Sequence, residues 1–303
     1  MFRGFVVCAL SLGAVLSGVC TASAPVEASS QCTPMPVTTR AASTADHQTQ
    51  PHGLSVASLN MAGRPDIGDE LAAWAQQRAI DVLLLQEVGD KSADGAQFIA
   101  ALSDRLGFHS VYAPADLLGK GQTQGLAIVS RNPIDDAQIT VLSHHHLRFR
   151  SRCRIALAAT VSTADGPVRI VNVHLDTRIN SEDRLAQLAP ILEGLEHDQR
   201  PQIIGGDFNT MDIGWFQSMW PLPYAQHQAK AVRTLMAGEG FHTPFVDTRA
   251  TFKLLGLPLK LDWLFLKGIN AVAWSVDEAR LSDHRGVWAR VTPAERGNQP
   301  SVD

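Results

Sequence analysis

Short apolar runs alternate with amphipathic stretches along most of this chain. Leu54–Leu59, Asp81–Gln86 and Leu126–Ser130 have the length and composition of buried strands. Ile155–Ser162 and Val168–Val173 predict a hairpin across Ala164-Asp165-Gly166-Pro167. Ile203–Ile204, Trp263–Leu266, Ala271–Ser275 and Gly286–Val291 add further strands. A helical period appears in Gly68–Ala79, where Leu71, Trp74, Ala75 and Arg78 share a stripe, and in Gly95–Leu106, which Gly107 stops. It returns in Ser181–Leu195, with Ser181 as the expected N-cap and Glu182 and Asp183 in the first turn, and in Gln226–Ala237, ending near Gly238. Hairpins mixed with helical crossovers argue against a purely parallel, doubly wound sheet. They predict an α/β fold of two mixed sheets packed face to face with helices outside. No internal repeat of fixed period is evident.

The chain of 303 residues is long enough for one large domain with a sizeable core. Its 45% apolar and 18% charged residues are a globular balance, and a net charge of −4 gives no strong electrostatic footprint for nucleic acid. A local patch or a metal ion is still able to bind phosphate. Arg3 followed by the apolar stretch Phe5–Val19 and small residues around Ala22-Ser-Ala24 and Val26-Glu-Ala28 reads as a signal peptide over residues 1–28, so export to a periplasmic or extracellular space is expected. Residues 29–52, rich in Ser, Thr, Ala, Pro and Gln, read as a disordered linker, and 293–303 as a flexible tail, leaving 53–292 as the folded domain. After cleavage Cys32 and Cys153 remain. An oxidising compartment would let them pair, but Cys32 lies in the polar segment, so a disulfide and two thiols are both open. Nothing marks an obligate protein partner, and a monomer is expected.

The chemistry gathers at strand ends. Asp207 and Asn209 sit in Gly-Gly-Asp-Phe-Asn-Thr after the run Gln202–Ile204. Side chains two apart on an extended chain point the same way, so both can face one phosphate. Asn60 ends Ser-Leu-Asn, Glu87 ends Leu-Leu-Leu-Gln-Glu, His174 and Asp176 lie in Asn-Val-His-Leu-Asp, Asp262 opens Asp-Trp-Leu-Phe, and Asp283 and His284 lie in Ser-Asp-His-Arg-Gly. Glu87 and Asn60 offer the hard oxygen ligands a magnesium ion prefers, with manganese as a substitute, and Asp283 is a further candidate ligand. His284 is the candidate general base, and Asp262, an acid in an apolar strand, its candidate partner. Pairing of Asp262 with a core arginine is the alternative. His174 is a candidate donor to a phosphate oxygen or leaving group. Asp176 reads equally well as a surface acid. Arg148, Arg150, Arg152 and Arg154 alternate and would line one face of an extended segment, with Arg154 a candidate phosphate contact; a solvated edge strand is the competing reading.

Taken in order, Ser-Leu-Asn-Met, Leu-Gln-Glu-Val, Asn-Val-His-Leu, Gly-Asp-Phe-Asn, Leu-Asp-Trp-Leu-Phe and Ser-Asp-His closely resemble the endonuclease/exonuclease/phosphatase family, over Leu54 to Val291. The resemblance implies a four-layered α/β sandwich and magnesium-dependent hydrolysis of phosphoesters. It implies Glu87 and Asn60 at the metal, Asp207 and Asn209 near the scissile phosphate, Asp262 with His284 as the carboxylate–imidazole pair, and His174 as the second histidine of the deoxyribonuclease and sphingomyelinase branches. Gly125-Leu-Ala-Ile-Val-Ser-Arg-Asn-Pro resembles the family's central strand, and Arg184 with Gln187 a recurrent helix pattern. Ala62 stands where repair nucleases of this kind carry an acid, which weakens that branch. The expected activity is a phosphodiesterase acting on nucleic acid, ahead of phospholipid headgroups and then sugar or inositol phosphates. A binding module that keeps the fold without turnover is the alternative from another class. Trp215, Phe216 and Trp220, and Leu254–Leu259 before Asp262, are apolar groups near the expected rim, able to pack beneath loops, stack on bases or touch lipid.

Overall fold

The computed structural model describes residues 32–42, 52–145, 147, 152–223, 226–277 and 281–294. The segment read as a signal peptide lies outside them, as do Arg148 and Arg150. In chain order the elements are β1 (Thr38–Arg40), β2 (Leu54–Asn60), α1 (Gly68–Gln77), β3 (Val82–Val88), α2 (Gly95–Leu106), β4 (His109–Gly119), β5 (Gln122–Ser130), β6 (Ile134–Val141), β7 (Ile155–Thr163) and β8 (Gly166–His174). They continue as α3 (Ser181–Glu193), β9 (Gln202–Asp207), β10 (Ile213–Phe216), β11 (Trp220–Pro223), α4 (Gln228–Gly238), β12 (Phe252–Leu254), β13 (Leu257–Leu259), β14 (Asp262–Lys267), β15 (Ile269–Val276) and β16 (Val287–Pro293).

Two mixed sheets form the body. One has seven strands in the order β1-β4-β5-β3-β2-β16-β15, the other five in the order β14-β9-β8-β7-β6. Each contains one parallel pair, β2 with β3 and β8 with β9; the crossover helices are α1 and α3. Alternation along β2 explains the layering. Leu54 and Val56 join the core between the sheets, while Ala57 and Leu59 join the one that packs Leu71, Trp74, Ile99 and Leu102 of α1 and α2. On the other side Leu188, Ile191, Val232 and Met236 of α3 and α4 belong to the first core. The result is the expected four-layered sandwich, with fully buried apolar residues contributing the main driving force.

The parallel pairs decide where function sits. Strands β2, β3, β8 and β9 end with Asn60, Glu87–Val88, His174 and Asp207, and His174 lies directly beside Asp207 in register. Crevices beyond the carboxyl ends of parallel strands are the usual ligand sites of α/β sheets. Gly205 and Gly206 are required for the approach of β9. A Cβ on Gly205 would lie 2.4 Å from a Leu264 methyl and 2.7 Å from Leu84 on the facing sheet, and Gly206 has φ +143°. Beneath the site the sheets are tied by polar groups: the Gln86 amide donates to Asn172 Oδ1 at 2.7 Å, and the Asn172 amide donates to the carbonyls of Leu85 and Ala127.

Within the segment 29–52, read as a linker, the described residues 32–42 are tied to the fold, and 29–31 and 43–51 lie outside the described residues. Cys32 is bonded to Cys153, and Thr38–Arg40 pairs antiparallel with β4 as the sheet's edge strand. Because the crosslink spans 121 residues, it strongly restricts the unfolded chain. The Cys32→Ser/Cys153→Ser variant is therefore expected to lose about 2–5 kcal/mol of stability, measured by urea unfolding; unchanged stability would show that the crosslink has no such role. The cap of α3 also differs. Asn180, not Ser181, occupies the N-cap, and its side chain exchanges hydrogen bonds with the backbone of Trp215 in β10.

Candidate active site

The six strand-end motifs converge. His284, carried by the loop before β16, places Nδ1 2.9 Å from Asp262 Oδ2 at the start of β14. Asp262 lies directly opposite Asp207 on the antiparallel neighbour β9. Two carboxylates facing one another across strands repel, and such a pair persists where something else gains from it. His284 Nε2 lies 3.9 Å from Asp207 Oδ2, and His174 Nε2 approaches the same oxygen at 3.6 Å and Glu87 Oε1 at 3.7 Å. The Asn60 amide donates to Asp207 Oδ2 at 3.0 Å and reaches Glu87 Oε1 at 3.4 Å. Asp207 is thus the hub of the cluster, touched from both sheets.

Local backbone geometry aims these groups. Glu87 has φ 51° within an irregularity of the β3–β5 ladder, so its side chain leaves the pleat and turns toward the mouth. Asn209 has φ 50°. Its N–H donates to Asp207 Oδ1 and its amide to the Leu175 carbonyl, which closes the Asp-Phe-Asn loop onto β8. Left-handed conformations at non-glycine residues are costly and concentrate at functional sites.

Charge balance follows from burial. Burial, with Asp262 beside it, pushes the Asp207 carboxyl up to about 7. For His284 burial alone would disfavour the imidazolium, but Asp262, Asp207 and the hydrogen bond to Asp262 outweigh it, and its value rises to about 10. His174 goes the other way: burial, then Arg154, His284 and Arg152, hold it well below the usual imidazole range, so it is neutral. Opposite shifts in two adjacent histidines give the site one stored proton and one neutral imidazole.

The donor set suits a hard divalent cation. Among the described residues, ligand atoms of Asp207, Asp262 and His284 all lie within 4.8 Å of one another, with Glu87 and Asn60 adjoining through Asp207. His174 Nε2 is buried with no hydrogen-bond partner among the described residues. Clustered carboxylate oxygens with no thiol suit magnesium-type ions, and buried acids at this density are offset by a cation; the Asn60 oxygen, expected as a ligand, instead accepts from the Ala62 N–H.

Two expected residues, Asp283 and Asp176, are placed otherwise. Asp283 is exposed and accepts from the Ser282 hydroxyl, so the structure does not bring it into the cluster; it acts on His284 only through its charge. Arg154 donates to Asp176 Oδ1 through Nε at 2.9 Å, and both are buried, so it is anchored inside the protein beside the cluster. Asp176 is accordingly no surface acid. It is 1% exposed and also accepts from Gln187.

Arg184 and Gln228 were given no part in the site by the sequence, yet they hold its floor. Arg184, fully buried on α3, donates to the carbonyls of Asp176 and Phe208 at 2.7 Å, and its Nε to Gln228 Oε1. Burial lowers its value to about 10, and it remains a cation at neutral pH. The signal available was Arg184 on the inward stripe of an amphipathic helix, where a charge must be paired. Arg184→Met leaves two buried carbonyls without donors, so a loss of about 3 kcal/mol is expected by denaturant titration; stability within error of wild type would refute this role.

The sequence matches the Endonuclease/Exonuclease/phosphatase family over residues 57–284, and the chain belongs to that family. Its members are phosphoesterases. No curated protein matches the chain. Solved structures with the same fold include an endonuclease/exonuclease/phosphatase from Beutenbergia cavernae, with 22% identity, TM-score 0.61, and coverage of 80% of this chain and 72% of that one. A family protein from Leptotrichia buccalis has 18% identity, TM-score 0.61 and coverage of 78% and 98%. ANGEL2, a 2′,3′-cyclic phosphatase solved with adenosine-2′,3′-vanadate, has 15% identity, TM-score 0.58 and coverage of 79% and 95%.

Proposed function

We propose that this protein is an exported, divalent-cation-dependent phosphodiesterase whose preferred substrate class is nucleic acid. The observation that carries the proposal is the Asp262–His284 pair aimed at Asp207, with Glu87, Asn60 and His174 around the same carboxylate. A bound magnesium or manganese ion supplies charge neutralisation at the phosphoryl oxygens and acidifies a water. The chain's own residues do the rest. Asp262 holds the Nδ1 proton of His284, leaving Nε2 to take a proton from the attacking water. Asp207 is one of the three carboxylates, with Asp262 and Asp283, that keep His284 protonated. With a cation bound, Asp207 would be a ligand that holds it, and its charge would then do less to keep His284 protonated. His174 offers a neutral N–H donor to a phosphoryl oxygen without adding charge that would hold the product.

Export is supported by the N-terminal pattern of a charge followed by an apolar stretch, and by the Cys32–Cys153 disulfide, since such bonds persist in oxidising compartments. Phospholipid headgroups are the second substrate reading, and one observation favours it. Phe216, Trp220 and Leu222 on the β10–β11 ribbon, and Leu254, Leu255 and Leu257 on the β12–β13 ribbon, are exposed on segments that follow Asp207 and precede Asp262. Parallel assays with magnesium on plasmid DNA, RNA and sphingomyelin decide between them. Nicked plasmid or degraded RNA with intact sphingomyelin is expected; cleaved lipid with intact nucleic acid would reverse the order.

A further inference from the structure

A recess of about 480 Å³ that shares no residue with the catalytic cluster opens between α4 and the segment 241–246. Its size is within the range of small-molecule sites, roughly 300–1,000 Å³. Lys230, Arg233, Thr234 and Ala237 form one wall, a stripe at helical spacing along α4. Phe241, His242 and Val246 form the other, over a floor of buried Phe265. The walls are fixed. His242 exchanges both backbone hydrogen bonds with Leu266 of β14, at 2.8 and 2.9 Å, and the Lys260 ammonium donates to the carbonyls of Phe245 and Val246 at 2.6 and 2.8 Å. The Phe265 ring packs against Phe208 and Trp263. Charge in the recess has one sign, since none of its lining residues is an acid. Arg233 is half-buried and donates from Nε to the Ala229 carbonyl at 3.3 Å. Among the described residues its two terminal nitrogens have no partner, and the Lys230 ammonium and the His242 imidazole have none either. Behind them, burial lowers the Lys260 value, Asp247 raises it, and the Arg233 charge lowers it further. Cations gathered in this way, in a protein of net charge −4, persist where an anion completes them.

We propose that this recess binds a phosphate monoester with an aromatic body, a ligand of mononucleotide size. The site goes beyond the phosphodiesterase reading and does not depend on it. A monoester phosphate carries roughly −1.5 to −2 charges near neutral pH. That matches a guanidinium with two free nitrogens and an ammonium one helical turn away. A carboxylate brings one charge and leaves one of the two cations unmatched. The Thr234 hydroxyl, on the same stripe, is a further donor. Ala237, Phe241, Val246 and Phe265 line the rest with carbon, which a flat ring can cover and a bare phosphate cannot.

Isothermal titration calorimetry in EDTA, which keeps divalent cations from the catalytic cluster, compares adenosine 5′-monophosphate with its two parts, adenosine and ribose 5-phosphate. Wild type is expected to bind one monophosphate per chain, with each part weaker by about tenfold, the factor that 1.4 kcal/mol represents. Arg233→Gln weakens the monophosphate by about the same factor, as the loss of one charge-assisted contact. Thr234→Trp, at an exposed position of α4, fills the recess and abolishes binding while the circular dichroism spectrum stays native. No binding by wild type, binding unchanged by either substitution, or ribose 5-phosphate bound as tightly as the whole overturns the proposal. Phosphodiester hydrolysis is read in a separate assay, so loss of this site leaves the catalytic reading standing, and absence of hydrolysis leaves the binding result standing.

Discussion

Replacing His284 by alanine lowers kcat by a factor of about 10²–10⁴, the usual contribution of a positioned acid or base. The imidazole is 7% exposed, bonded to Asp262 and tilted against the Phe252 ring at 4.7 Å, so its orientation is set before substrate arrives. Nε2 faces Asp207 and the mouth. Asp262→Asn removes the acceptor that fixes the Nδ1 proton and is expected to lower kcat by a similar factor with KM little changed. Stability also responds. The His284 value is raised to about 10 above its ordinary 6.5, so its stabilising contribution is complete below 6.5 and is lost as pH rises through about 10. The His284→Ala variant lacks that contribution and leaves Asp262 buried without its partner. Its Tm deficit should be largest at and below about pH 6.5 and should shrink as pH rises through about 10. A native circular dichroism spectrum with near wild-type turnover would remove His284 from proton transfer.

Asp207→Asn is expected to abolish hydrolysis and at the same time stabilise the cation-free protein at neutral and alkaline pH. The opposite signs come from one cause. Burial raises the Asp207 value from its ordinary 3.8 to about 7, so the folded protein holds a proton that the unfolded chain has released across that window. The folded state therefore loses stability as pH climbs from 3.8 to about 7 and stays penalised above it. An amide carries no such penalty and still accepts from the Asn209 N–H through its oxygen. A divalent cation relieves the same penalty in the wild type, by binding the folded form alone. The Tm of the wild type should thus rise with added magnesium more at alkaline than at acidic pH, and Asp207→Asn should lose most of that rise. Differential scanning fluorimetry across pH, with and without magnesium, reads both effects. An Asp207→Asn variant that is less stable than wild type in EDTA at alkaline pH would show that the buried carboxylate is a structural asset.

The site was largely legible because its residues interrupt apolar runs. Asn60, Glu87, His174 and Asp207 each close a stretch whose neighbours are buried, and a polar group there needs a partner or a task. For Arg154, periodicity shows which face the residue occupies, not what holds it; its partner Asp176 is 22 residues away. Asp283 stands next to His284, but consecutive side chains diverge, and only one of the two turned inward. In the fold, β4 was hidden by Pro114 and by a break in its pairing between Pro114 and Asp116. Strand β6 was hidden by its polar, half-exposed sequence at a sheet edge and by the irregularity around Asp136, which has φ 51°. Edge strands carry little hydrophobic signal because one side faces water. Strand β1 exists in a polar segment held by the disulfide, a tertiary tie that local propensity does not encode.

Hydrolysis of bis(p-nitrophenyl) phosphate by EDTA-stripped protein, followed as magnesium or manganese is added at neutral pH, tests the account most directly. Saturable recovery of activity is expected in the wild type, displaced to higher cation concentration by Glu87→Gln. Turnover indifferent to EDTA, or none at any cation concentration with this or any other phosphodiester, would contradict a cation-dependent esterase built around Asp207.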